Sequence, residues 1–272
     1  MSATCNASCS TSTSSTESSS RKTDFSATAF LSPAQSARLR RICFTGCPSV
    51  SDTLPAKEDM ILACAFIPDE KVRADVLDLF AFLETLRAIP ARVTEPLMGE
   101  IRLRWWWEAI EEIDQGRPVR YHPLTQSIKA LILERGLAPR AFYDLIEGQM
   151  PLLDKGALTT GTALEIVDRG EVIVARLAAQ RMDPEAEAAS LIHVARLYGL
   201  AELKARRGLS DAGETELAHL RREAASAARK LPASLMPLAL PAVTAPALWR
   251  GQPIGPLMKR IRMLTAFLTG RI

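Results

Sequence analysis

The sequence predicts an all-α protein. Apolar residues recur at the 3.6-residue helical spacing through almost every segment after residue 51. Proline and glycine punctuate those segments at places where helices start and stop. No segment alternates polar with apolar residues as a half-buried strand does. The reading divides the chain into a Ser/Thr-rich extension, 1–51, and one helical domain, 52–272, of about eight or nine helices.

Residues 1–20, MSATCNASCSTSTSSTESSS, contain nine serines and four threonines. That composition cannot bury a core and reads as disordered. It lacks the apolar stretch of a secretory signal. The extension is also acid-poor and contains RLRR, which suits a mitochondrial transit peptide. A plain disordered tail is the other reading, as is a start assigned too far upstream, with Met60 a later start. The expected location is cytoplasmic or peripheral to a membrane, and mitochondrial if the organism is eukaryotic and the extension is a transit peptide.

The helices follow in order. Within 68–89, Val72, Val76, Leu79, Phe80, Leu83 and Leu86 share one face, and Pro90 is expected to stop the helix. The segment 96–113 holds Trp105, Trp106 and Trp107 inside a run of charges. On a helix, Leu97, Ile101, Trp105 and Ala109 form one apolar stripe, and Trp106, Ile110 and Ile113 form a second. Such a helix is expected at the centre of the domain with all three indoles in the core. Arg104, with Glu100 and Glu108 four residues away on either side, belongs to the polar strip. Residues 122–136 form a short helix closed by Gly136. Residues 139–154 form another, bent at Gly148–Pro151. A long helix spans 162–182, and Pro184 opens the next, to about 206. A helix over 210–231 starts at Ser210 as its cap, and residues 253–272 close the chain.

Bulk composition narrows the function. With 47 % hydrophobic and 24 % charged residues in 272, the chain can bury a sizeable core. The net charge of +3 arises within residues 1–51, leaving the remainder neutral. No basic face is implied, and no nucleic-acid partner is expected. No apolar run reaches the ~18 residues of a membrane span. Cys43 and Cys47, in CFTGC, have a metal-like spacing but no second pair or nearby histidine. His122 precedes Pro123 as a loop or cap residue. His193 and His219 have no companion at ligand spacing. There is no P-loop, no dinucleotide fingerprint and no Gly-x-Ser-x-Gly.

Four stretches, taken in order, resemble the squalene/phytoene synthase family: CAFIPDEKVRADVLDLFAF (64–82), VTEPLMGEIRLRWWWEAIEEI (93–113), YHPLTQSI (121–128) and RAFYDLIEGQ (140–149). The second, with its Gly-Glu-Ile-Arg-Leu before the tryptophans, is the most specific. Beyond about residue 185 the resemblance fades. It implies an all-α isoprenoid synthase fold. In active members two Asp-rich motifs face each other across an apolar cavity and hold Mg²⁺, which holds the diphosphate of a prenyl substrate. Carboxylate-held cations are what stabilise such a leaving group.

Counted along the family pattern, the first pair of aspartates falls near Arg87 and Ala91, neither of which binds Mg²⁺. Glu84 is the nearby acid. The second motif falls in YGLAELKARRGLSDAGE (198–214), where Glu202, Asp211 and Glu214 lack the motif's context and Arg206 and Arg207 intervene. The family also has a non-catalytic branch, including a mitochondrial assembly factor for respiratory complex I, which likewise lacks these aspartates. The expectation is a non-catalytic binding or assembly scaffold with no metal and no cofactor, holding a lipid or a protein partner. The alternative is a prenyl-diphosphate transferase with altered Mg²⁺ ligands. Glu84, Arg87 and Arg102 are the candidate cavity or anion-binding residues. Arg87 and Arg102 fall on apolar arcs, so each pairs with a buried carboxylate or binds an anionic head group directly.

Overall fold

A computed structural model describes residues 54–252 and 254–272. The Ser/Thr-rich extension to residue 51, its transit-peptide reading and the Cys43/Cys47 pair lie outside the described residues.

Every regular element among the described residues is helical, as the periodicity predicts. The helices are α1 (Glu58–Cys64), α2 (Glu70–Arg92), α3 (Pro96–Asp114), α4 (Pro123–Leu133), α5 (Pro139–Glu147), α6 (Thr160–Val167), α7 (Ile173–Met182), α8 (Leu191–Arg207) and α9 (Glu214–Ala228). Short pieces α10 (Met236–Ala239) and α11 (Ala245–Trp249) precede α12 (Pro256–Thr269). Four of them, α3, α4, α5 and α12, begin on a proline. Its fixed φ suits the first turn, where its missing N–H is not needed. Asp69 caps α2 by accepting from the Val72 N–H at 2.9 Å. His122 caps α4 through Nδ1, accepting from Leu124 N–H at 3.2 Å.

Several boundaries differ from the sequence reading. Helix α2 runs two residues past Pro90. In the last turn proline removes a single hydrogen bond, and the Val93 N–H still reaches the Ile89 carbonyl. Residues after Pro184 form turns, and α8 begins only at Leu191. Helix α9 starts after Gly213, not at Ser210, whose N–H and hydroxyl instead bind the Leu158 carbonyl. The bend expected at Gly148–Pro151 is present, with a 3-10 turn over Met150–Leu153. The rod 160–182 contains a π-helical turn, Asp168–Val172, between α6 and α7.

Two large apolar clusters build the core. One gathers α2, α3, α4, α5 and α7 around Leu79, Phe82, Trp106, Ile128 and Phe142. The other gathers α6, α8, α9 and the C-terminal pieces around Ile166, Leu200, Leu240 and Trp249. Helix α3 touches α2, α4 and α5. Only Trp106 of its three indoles is fully enclosed, meeting Phe82 edge-on at 5.4 Å. Trp105 and Trp107 are half-buried, and Leu97 and Ile101 at the start of the first stripe are exposed. The stripe is therefore only partly a core stripe.

Candidate functional site

The middle of α2 is where the sequence pattern and charge conflict. Leu83 and Leu86 are buried, and Glu84 and Arg87 on the same turn are buried with them. A charge removed from water must be paired or neutralised. Arg87 is paired by Glu171, which lies in the π turn 84 residues away, through both guanidinium Nη atoms. Both side chains are about 5 % exposed. The π turn sets this contact, because an i+5 turn shifts the side chains that follow it around the rod. Gly170 and Gly199 permit the close approach. A Cβ on Gly170 would sit 3.2 Å from Nη2 of Arg87. One on Gly199 of α8 would sit 2.7 Å from Val167 and 2.9 Å from the Glu171 carboxyl carbon.

Helix α8 closes the cluster. Arg206 donates to Glu84 at 2.6 Å and lies 3.5 Å from Glu202, one turn earlier. Lys57, just before α1, bonds Glu202 and lies 3.6 Å from Glu84. Three carboxylates thus face three cations. Burial alone would raise the Glu84 carboxyl, but Lys57, Arg206 and Arg87 outweigh it and hold it below its usual range. Burial pulls the Lys57 ammonium down to about 7 against the attraction of Glu84, and the repulsion of Arg206 and Arg87 adds to the fall. The Tyr198 phenol, beneath Lys57 at 5.9 Å, is pushed well up by burial and by the acids Asp59, Glu84 and Glu171.

Beside the cluster lies a cavity of about 390 Å³, lined by Arg87, Pro90, Ala91, Leu152, Leu203, Arg206 and Arg207. Both positions counted as the first aspartate pair, Arg87 and Ala91, border it. Arg207 is held by the carbonyls of Leu152 and Asp154 at 3.1 and 3.0 Å. The wall is apolar, the rim is cationic, and no acidic side chain lines it.

The other sequence candidates go elsewhere. Arg102 is half-buried on α3 and has no hydrogen bond or ion pair among the described residues, so the fold does not bring it to Glu84 and Arg87. Asp211 accepts from the N–H and hydroxyl of Thr160 at 2.7 Å, at the start of α6. Glu214 pairs with Arg250 at 2.8 Å. His193 and His219 both approach Glu223 at 3.7 Å, a convergence their sequence spacing does not show. Lys57 and Glu171 are cluster members that sequence reasoning missed. Lys57 sits in a loop with no periodicity, and Glu171 reads as one charge on an amphipathic helix.

The family resemblance implies Mg²⁺, and the donor set does not suit it. Mg²⁺ takes oxygens in near-octahedral array, and the protein's share is one or two carboxylates open to it. Glu84, Glu171 and Glu202 are each bound to a cation, and a guanidinium stands where the resemblance puts a ligand. Among the described residues no three His, Cys, Asp or Glu side chains are arranged to hold a metal ion. No helix of the described residues is long and apolar enough to cross a membrane.

The chain also matches a known family. Residues 55–203 fit the family described as squalene/phytoene synthase. The match includes Lys57, Glu84, Arg87, Glu171 and Glu202 and ends three residues before Arg206. No curated protein matches the chain significantly.

Proposed function

The chain belongs to the squalene/phytoene synthase family, and from that premise we propose that it is a non-catalytic member, a binding or assembly scaffold. One observation carries this reading. The carboxylates at the centre of the fold face Arg87, Arg206 and Lys57, so divalent metal gathered around a diphosphate would have to displace cations already in place. The protein keeps the helical frame and uses the ion cluster as an internal strut. Its cavity, with apolar walls and a cationic rim, suits the acidic end of a lipid or of a protein partner. On this reading it resembles the non-catalytic branch that includes the complex I assembly factor and works without metal or cofactor. The alternative, a prenyl transferase with altered ligands, requires the three glutamates to exchange their cations for Mg²⁺.

Release of pyrophosphate separates the two. Incubated with farnesyl or geranylgeranyl diphosphate and Mg²⁺, the full chain is expected to liberate none above the buffer control. Saturable release that Glu84→Gln abolishes would overturn the proposal.

A further inference from the structure

Helix α12 is amphipathic twice over. Met263 and Ala266 are buried against the body, and Phe267 stacks on Phe66 at 4.7 Å. Lys259 is tied down by Glu58 at 2.9 Å and Asp59 at 2.8 Å. The opposite side carries Leu257, Ile261, Leu264 and Leu268, spaced four, three and four residues apart and so aligned on one face. All four are exposed, Leu257 by 70 % and Leu268 by 74 %. Four aligned large aliphatic side chains left in water mark an interaction surface.

The charge around this stripe identifies what it meets. After Glu223 the sequence has seven basic side chains and no acidic one. The neutral sum over 52–272 therefore hides a segregation, and the expectation of no basic face is corrected by the fold. Arg260 and Arg262 flank the stripe, exposed and without ion pairs among the described residues. A groove of about 1070 Å³ runs beside α12. Arg221, Arg222, Arg250, Arg262 and Arg271 line it with no acidic side chain, and Ile261 belongs to both groove and stripe. Of these five arginines, Arg250 alone has an ion pair among the described residues.

We propose that this face docks on an anionic lipid bilayer. The Leu257–Leu268 stripe enters the boundary between head groups and acyl chains, and the arginine groove takes lipid phosphates. A second copy of the chain fits poorly, because it would bring Arg260 and Arg262 against their own kind with no acid to offset them. A nucleic acid would satisfy the arginines and leave the four aliphatic side chains in water. The inference goes beyond the central cavity and holds whatever that cavity binds.

Flotation of the full chain with vesicles tests it. The chain is expected to float with vesicles of equal parts phosphatidylcholine and phosphatidylglycerol, less so as salt rises, and not with phosphatidylcholine alone. Arg262→Gln with Arg271→Gln should lower the partition coefficient about 25-fold, at about five-fold per charge. Leu264→Asp with Leu268→Asp should abolish flotation yet leave thermal unfolding near that of the parent, since both side chains are exposed. Failure to float would overturn the proposal, as would equal binding to neutral vesicles or binding that the leucine substitutions leave unchanged. A dimer that those substitutions dissociate, or an oligonucleotide bound as tightly as the anionic vesicles, would overturn it as well.

Discussion

Arg87→Met lowers the unfolding free energy by about 3 kcal/mol, the lower end of what breaking a buried ion pair costs. The methionine fills much of the volume, so the loss is electrostatic. Glu171, about 5 % exposed, is left without its guanidinium partner. Lys57 and Arg206 remain in the cluster, which keeps the loss from the upper end of the range. Glu171→Leu in the same chain recovers most of it, because removing both charges leaves neither group stranded. A surface pair provides the contrast. Arg104 reaches Glu108 at 3.4 Å with both side chains largely in water, and Arg104→Ala changes stability by less than about 0.5 kcal/mol. Urea unfolding of the three variants beside the parent checks the ordering. Equal losses for Arg87→Met and Arg104→Ala would mean that the cluster is not the strut described.

The second large effect is at the tryptophans. Trp106→Ala lowers stability by about 3–5 kcal/mol, the range for emptying a fully enclosed aromatic site. Phe82 and His122 meet its ring at 5.4 and 5.0 Å and cannot close the hole without leaving their own positions. Trp105→Ala and Trp107→Ala cost roughly half as much, because each indole already keeps part of its surface in water. Trp105 is covered by Arg120 at 5.0 Å, and Trp107 leans on Tyr143 at 4.5 Å. Thermal unfolding of the three single variants checks the order, with Trp106 first. Three equal losses would mean that the indoles are buried alike, as the two-stripe reading of the helix supposed.

Those tryptophans show how far the sequence speaks. Helical periodicity locates α2 and α3 because apolar burial repeats with the turn. It cannot say which part of an apolar stripe finds a neighbour, so Leu97 and Ile101 read as core and lie in water. Arg87 was legible because a cation on an apolar arc has to be answered. Its answer was not legible, since Glu171 reaches it only through tertiary packing and a π turn that leaves no sequence pattern. Arg102 presented the same signal as Arg87, and partial exposure at its site removes the need for a partner. The C-terminal basic face was in the sequence throughout, but a sum over the whole domain cancels it.

Cations, not metal, are expected to neutralise the carboxylates at the heart of this fold. Calorimetric titration of the full chain with a non-hydrolysable farnesyl diphosphate analogue, with and without Mg²⁺, tests it most directly. Binding that does not depend on Mg²⁺ is the expected result. Tight binding only in the presence of Mg²⁺ would contradict it, because the metal would then have displaced Arg87, Arg206 or Lys57 from the glutamates.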